Sequence, residues 1–381
     1  YEMLSGDWSS DVCSSDLYLA KLIRSGFKVA VCEQMESPSE AKKRGYKSIV
    51  RRDVVPVVTP GTLTEDSLLD ARAANRLAAV ASRAGAAAVA SVELSTGEVE
   101  VFSVAVDGIG AALASLGASE VLVPDRLFAD AGLASALKSV GGLIQPMASA
   151  LAEPHASRLR VQRLYGVDTL DGFGELTGAE VSALGLIAAH LEVTQAGKLP
   201  SLRPPRRSSA SEVMAIDPAA RTSLEIEKST AGSREGSLLA AIDRTVTSGG
   251  ARLLASRLAR PLLDPARIDR RLDAVAWFVE RGILRRSMRD GLKSAGDLAR
   301  ALSRLALGRG GPRDLGCVRD ALTCGHKLAA QAAEAGGPLN PAPGAVEDAL
   351  RALTPSLIPQ LASYLAALHE GLGPDLPAQA R

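Results

Sequence analysis

Apolar and polar positions change their period along this chain, and the changes predict the elements it forms. Tyr18-Leu19-Ala20-Lys21-Leu22-Ile23-Arg24 carries a short helical pattern that Gly26 ends, and Lys28-Val29-Ala30-Val31-Cys32 is a β-branched run that reads as a strand. Ser37-Pro38-Ser39-Glu40 opens a polar, basic turn of helix. Repeated Val and Ile between Ser48 and Thr59 predict a second strand, which Pro56 confines to an edge because proline cannot donate to a ladder. So few elements cannot enclose a core alone, and residues 18–62 read as the end of a larger domain.

The middle of the chain turns to small residues and valine. Ala86 to Leu94 reads as a strand, Ser95-Thr96-Gly97 as a turn, and Glu98-Val99-Glu100-Val101 alternates with period 2, so the pair predicts a hairpin. A strand at Glu120-Val121-Leu122-Val123 leads into a helix at Pro124-Asp125, where the Asp125 carboxylate suits the positive helix end. Between Gly178 and Thr194, helical spacing places Val181, Leu184, Ile187 and Leu191 on one stripe. A mixed α/β domain that opens with a hairpin matches the order of a ribonuclease-H-like sheet. Leu199-Pro200-Ser201-Leu202-Arg203-Pro204-Pro205-Arg206-Arg207 reads as a linker.

Beyond it the pattern is helical almost throughout, so the expected fold class is α/β followed by all-α. Asp264-Pro265 supplies an N-cap and a first-turn proline, and Ile268, Leu272, Val275 and Val279 follow at the spacing of one apolar helix face. Leu298, Leu302 and Leu305 repeat this after Gly296-Asp297, and Leu350, Leu353, Leu357 and Leu361 continue a looser stripe. The chain stops at Arg381 with no evident closing element for this bundle, which implies completion by partners or by further sequence.

Composition excludes several classes. The 381 residues are 46% hydrophobic and 23% charged, ordinary globular usage that rules out collagen and wholesale disorder. No uncharged stretch is long enough to span a bilayer, and Cys13, Cys32, Cys317 and Cys324 have neither C-x-x-C spacing nor the density of a stapled secreted domain. A reducing cytoplasm fits. The net charge of +1 hides a regional split, with nine Lys/Arg against four Asp/Glu in residues 18–62, ten against sixteen in 63–204, and twenty-five against nineteen in 205–381. Residues 1–17 have no apolar period, and Asp7 to Leu17 resembles the direct translation of a common sequencing adapter, so this stretch is set apart as an artefact.

Candidate chemistry is sparse. No G-x-x-x-x-G-K-S/T occurs, so a P-loop NTPase is excluded for this chain. Gly172-Phe173-Gly174 reads as a tight turn, and Cys324 with His326 reads as a buried cysteine beside a surface histidine, since four-coordinate zinc needs a second ligand pair. No metal site is expected. A ribonuclease-H-like sheet raises a metal-dependent nuclease, with Glu93 and Asp125 as candidates, but two acids fall short of the cluster that two metal ions require. Glu98 and Glu100 read as solvated. Lys21, Arg24, Lys28, Lys42, Lys43, Arg44, Lys47, Arg51 and Arg52 form a basic stretch able to contact phosphates or simply to face water. Arg252, Arg257, Arg260, Arg267, Arg270 and Arg271 read as surface cations.

Resemblance decides what spacing leaves open. Tyr18-Leu19-Ala20-Lys21-Leu22, then Val29-Ala30-Val31-Cys32-Glu33-Gln34, then Val57-Val58-Thr59-Pro60-Gly61-Thr62 resemble, in order, a signature of MutS-family DNA mismatch-repair proteins. Ile216-Asp217-Pro218-Ala219-Ala220-Arg221-Thr222, Asp243-Arg244-Thr245-Val246-Thr247, Gly296-Asp297-Leu298-Ala299-Arg300 and Arg313-Asp314-Leu315 are similar to the family's core or lever segments. The resemblance covers about residues 18–330. It implies that 18–62 ends a mismatch-recognition domain, 63–204 is a ribonuclease-H-like connector, and 205–381 begins a helical lever.

It further implies a parent that binds mispaired or looped duplex DNA as a homodimer, uses ATP and Mg²⁺, and meets a MutL-type partner through the connector. That parent would be cytoplasmic, bacterial and nucleoid-associated. The family's Phe-x-Glu wedge, clamp and ATPase are absent here, so the chain by itself is expected to be no enzyme and to hold no cofactor. Lys21, Lys28, Lys47, Arg51 and Arg52 are the implied DNA-backbone contacts, and Pro56 stands where many relatives carry arginine. The rival expectations are the nuclease and an ATPase-free adaptor.

Overall fold

The apolar run around residues 77–94 folds as two strands, and that pair organises the first half of the protein. The computed structural model describes residues 18–19, 21–23, 25–45, 48–138, 140–195, 201–336, 341–353, 359–373 and 376–377. The chain forms two compact units. One takes in the chain up to Asp70 with Asn75–Leu94 and Glu98–Arg207; the other takes in Ser208–Arg381 with Ala71–Ala74 and Ser95–Gly97.

In the first unit, β1 (Val29–Gln34), α1 (Pro38–Arg44) and β2 (Arg52–Val58) follow one another, with the two strands paired antiparallel. α1 begins with a reciprocal cap: the Glu40 N–H donates to Ser37 Oγ, and the Ser37 N–H donates to the Glu40 carboxylate. The register slips between Ala30 and Cys32, whose partners are Val57 and Val54. Pro56 falls in that irregularity, where a residue without an N–H belongs.

A six-stranded sheet follows. β3 (Leu77–Arg83), β4 (Ala86–Glu93) and β5 (Glu98–Val104) form an antiparallel meander, and after α2 (Ile109–Leu116) the strand β6 (Glu120–Pro124) returns parallel to β3. α3 (Asp125–Phe128) and α4 (Ala131–Lys138) lead to β7 (Leu143–Met147), parallel to β6. α5 (Pro154–Tyr165) and α6 (Gly178–Thr194) precede β8 (Arg206–Arg207), which lies parallel on β5. The order β7-β6-β3-β4-β5-β8 is a meander with two parallel strands beside its first member, the expected ribonuclease-H-like arrangement with one added edge strand.

The sheet differs from the sequence expectation at β3, at β7, which is likewise unpredicted, at Arg206–Arg207 and at Glu100. β3 had no predicted counterpart: it is buried along most of its length and rich in alanine, so it shows no alternation, and Ala84 (φ 50°) with Gly85 (φ 80°) makes the tight turn to β4. Arg206 and Arg207 are a strand within the expected linker. Arg206 pairs with Glu100 at 3.2 Å, so Glu100 is partnered and not merely solvated.

α6 is buried all round, because it lies between the sheet and α5. The predicted stripe of Val181, Leu184, Ile187 and Leu191 is inside, and so are Ala183, Leu186 and Ala188. A Cβ on Gly185 would stand 2.3 Å from the Cβ of Ser157, so glycine is what lets α5 and α6 cross this closely.

The second unit is helical apart from one isolated bridge, Val213 to Leu262, among the described residues. Its helices are α7 (Pro218–Ser223), α8 (Leu238–Ile242), α9 (Ser248–Ala259), α10 (Pro265–Glu280), α11 (Gly282–Leu292), α12 (Leu298–Ala306), α13 (Pro312–Ala335), α14 (Gly344–Ala352) and α15 (Pro359–Gly371). α13 is the axis, with α11, α12, α14 and α15 against it. Asp217, Ser237, Thr247, Asp264 and Asp297 each accept a first-turn N–H, which stops these helices from fraying.

α10 forms as predicted, yet its aliphatic stripe faces outward: Leu272, Val275 and Val279 are 57%, 58% and 62% exposed. The buried face carries Trp277 with Ala274 and Phe278, packed with Leu284, Met288, Ala332 and Val346. The Trp277 and Phe278 rings, with centroids 4.8 Å apart, lie on the packed face in place of the stripe. Leu357 of the last predicted stripe lies outside the described residues. No described helix is long and apolar enough to cross a membrane.

Gly185→Ala is expected to cost about 1–3 kcal/mol through overpacking, read as a lower urea midpoint. Gly172→Ala, whose Cβ would meet nothing within 4 Å, is expected to stay within about 0.5 kcal/mol of the parent.

Candidate nucleic-acid interface

The basic residues singled out from sequence occupy two places on the β1–β2 ladder. Lys28 immediately precedes Val29, which pairs with Val58, whereas Arg52 pairs with Gln34 at the other end. At 3.4 Å per residue the two ends are about 17 Å apart. Lys21 belongs to the preceding helical residues, its Nζ 5.9 Å from the centroid of the Tyr18 ring. Lys47 lies outside the described residues.

Charge concentrates at the Arg52 end. Lys42, Lys43 and Arg44 form the last turn of α1, and all three are exposed, as are Arg51 and Arg52. Glu36 pins the two segments: it accepts the Arg51 N–H at 2.7 Å and pairs with the Arg44 guanidinium, which also donates to the Ile49 carbonyl at 3.3 Å. Sequence reasoning counted Glu36 only as a charge, because its partners stand eight and fifteen positions away. The remaining cations are free to swing toward phosphate oxygens, a contact that positions a duplex without reading its sequence.

Behind the ladder lies a buried polar joint. Thr59-Pro60-Gly61-Thr62 turns so that the Thr59 hydroxyl and the Gly61 N–H (3.0 Å) both donate to Oε2 of Glu120 on β6, a side chain with no exposed surface. His190 of α6 brings Nε2 to 3.5 Å from Glu120 Oε1, and neither atom has another hydrogen-bond partner among the described residues. Burial holds the His190 imidazole below its ordinary pKa, Glu120 opposes that shift, and the nearby Lys28 ammonium adds to it.

The nuclease candidates are held apart. Glu93 ends β4, one position past Val92, the partner of Leu77, while Asp125 follows β6, which runs parallel to β3 with Leu122 beside Ala79. They therefore sit at opposite ends of the sheet, about 20 Å apart along the strands. Glu93 is buried. Asp125 accepts from the Ser149 hydroxyl and from the Arg126 and Ser149 N–H groups, bonds that keep its carboxyl below the usual range. Two-metal chemistry needs carboxylates converging on ions about 4 Å apart. Among the described residues, no three or more His, Cys, Asp or Glu side chains gather to hold an ion. The separation of Glu93 and Asp125 does not favour the nuclease expectation.

In the second unit, Arg252 is not the surface cation its sequence neighbourhood suggested. It is buried, reaches both Asp297 oxygens at 2.6 and 3.0 Å, and donates to the Ala71 carbonyl at 2.9 Å. Arg300 donates to the Ala73 carbonyl at 3.0 Å. Arg72 reaches Asp243 and Thr245, each at 2.8 Å, and Arg234 also pairs with Asp243. The motifs around Asp243 and Asp297 thus hold the segment Ala71–Ala74. For both carboxyls burial alone would raise the pKa, but it is outweighed, by Thr245 and Arg72 at Asp243 and by Arg252 and Arg300 at Asp297, so both lie low.

Three family domains match along the chain: MutS domain I over residues 12–67, MutS domain II over 75–203 and MutS domain III over 219–369. The chain is 69% identical over 368 residues to the DNA mismatch repair protein MutS of Caulobacter sp. (strain K31), covering 97% of this chain and 41% of that protein. With the MutS of Caulobacter vibrioides the identity is 68% over the same coverage, and with that of Rhizobium meliloti (strain 1021) it is 43% over 96% of this chain and 41% of the relative. The chain spans about two fifths of the length of these relatives.

Three outcomes are expected. A histidine whose folded pKa is depressed binds its proton more readily when unfolded, so stability falls as pH drops below the ordinary histidine value of about 6.5. The urea midpoint should fall between about pH 7.5 and 5.5, and His190→Gln should remove most of that fall, whereas Asp243 and Asp297 act only below about pH 4. Asp297→Asn, which leaves Arg252 buried and underpaired, should cost about 3 kcal/mol. Arg163→Ala at an exposed pair should cost at most about 0.5 kcal/mol by the same denaturation curve.

Proposed function

The chain belongs to the MutS family, and we propose that it forms the first three domains of a protein that binds mispaired or looped duplex DNA and starts mismatch repair. In this reading residues 18–62 end the mismatch-recognition domain, 63–204 are the connector, and 205–381 begin the helical lever. The observation that carries it is the exposed basic cluster of Lys42, Lys43, Arg51 and Arg52, which lies inside the segment matching MutS domain I. Arg51 and Arg52 with Lys42 and Lys43 of α1 form one group of phosphate contacts. Lys21 and Lys28 form a second, some distance along the ladder, and Lys47 joins them on its sequence position alone.

ATP and Mg²⁺ belong to the parent protein. The residues here do not fit them: the sequence has no P-loop lysine motif, and among the described residues no acidic cluster suits a metal. No step is therefore assigned to a nucleotide in this chain, which this reading treats as a binding module. Homodimerisation through other domains, a MutL-type partner on the connector, and a cytoplasmic, nucleoid-associated setting complete the reading.

Fluorescence anisotropy with a labelled duplex carrying one mismatch tests it. Each phosphate contact contributes about 0.9 to the slope of log affinity against log salt. Replacing Lys42, Lys43, Arg51 and Arg52 together by alanine should weaken binding and lower that slope by about 3, while Lys293→Ala in the helical unit should leave it unchanged. An unaltered slope in the fourfold variant contradicts the assignment.

A further inference from the structure

We propose that Glu120 is the positioning residue that fixes the DNA-facing ladder on the connector sheet; this deepens the DNA-binding reading and rests on it. The carboxylate belongs to the segment matching MutS domain II, and its two donors, the Thr59 hydroxyl and the Gly61 N–H, belong to the segment matching domain I. The joint therefore ties the two segments through one fully buried charge.

The surroundings fit a lock. The Thr59 N–H donates to Thr62 Oγ1 at 3.0 Å, closing the turn on itself. Asn75 Nδ2 donates to the Pro60 carbonyl at 2.9 Å, and the Ser119 hydroxyl, next to Glu120 in sequence, donates to Asn75 Oδ1 at 2.7 Å. A Cβ at position 61 would stand 2.8 Å from the Glu120 Cβ and 3.0 Å from Leu77 Cδ1, so the backbone is pressed against the carboxylate stem.

A carboxylate without water must keep its donors, because each donor lost leaves charge unsolvated in a medium of low dielectric. The ladder can leave the sheet only by taking both donors with it. β2 runs directly into Thr59, so the grip on Glu120 sets where Arg52 and Lys28, at opposite ends of the ladder, stand relative to the sheet. His190, at 3.5 Å, leaves one carboxylate oxygen without a good hydrogen bond, and the lock rests mainly on Thr59 and Gly61.

The test uses the full chain as wild type, Thr59→Val, Thr59→Ser and Glu120→Gln. Hydrogen exchange read by mass spectrometry should quicken about tenfold or more across residues 29–58 in Thr59→Val and Glu120→Gln, with residues 77–93 unchanged. Thr59→Ser, which keeps the hydroxyl, should restore protection. Thr59→Val should also lower the salt slope for a mismatched duplex, whereas a merely unfolded fraction lowers the amount bound without changing the slope. Glu120→Gln can fail to fold, and the Thr59 pair then decides alone.

Unchanged protection of residues 29–58 in Thr59→Val, or an equal loss in 77–93, overturns the positioning role. Selective loss in a chain whose wild type ignores duplex DNA would sink the DNA-binding reading and leave the joint standing. Duplex binding with unchanged protection would do the reverse.

Discussion

Burying a carboxylate costs several kcal/mol unless hydrogen bonds replace its water, and at Glu120 the two hydrogen bonds to Oε2 both come from a turn in a different segment. The first unit is arranged around this requirement. Gly61 has no side chain, so its N–H can approach; Thr59 offers a hydroxyl; Leu77, the first residue of β3, closes the other side. A two-stranded ladder has little core of its own, and a pair of strands alone is marginal in water. Its attachment through a buried charge makes it part of a larger body and gives the basic cluster at its end a fixed platform.

The helical unit solves a related problem with the opposite charge. Short helices are marginal on their own, so five of the nine described helices start with a side-chain cap, and buried guanidinium groups bridge elements far apart in sequence. Arg252 and Arg300 each meet a backbone carbonyl of the Ala71–Ala74 segment as well as Asp297. Arginine suits this because its fork reaches a carboxylate and a carbonyl at once. Of the blocks of sequence that resemble the family's lever, residues 296–300 supply Asp297 and Arg300 to these bridges, and residues 243–247 supply the carboxylate that holds Arg72.

The sequence was legible where local chemistry decides the outcome. Ser37 and Asp264 announced α1 and α10, and Pro56 announced an edge position that proved to be a bulge in the ladder. It was illegible where burial on two faces erases the pattern, as in β3, and where a competing face wins, as in α10, whose aromatic side displaced the aliphatic stripe. Of the candidate contacts, the clustering of Arg51 and Arg52 with α1 was readable as charge density. Their separation from Lys28 was not, because it depends on strand direction. The roles of Glu120 and Arg252 were hidden for a simpler reason: a charged residue reads as exposed until a distant partner is known.

The account stands most directly on which cations meet DNA, and lysine reactivity reads this residue by residue. The full chain would be treated with an acetylating reagent with and without a mismatched duplex, and each lysine scored by mass spectrometry. Lys42 and Lys43 should be protected by the duplex, with Lys293 and Lys327 of the helical unit reacting equally in both samples. Equal reactivity of Lys42 and Lys43 with and without bound duplex would contradict the account.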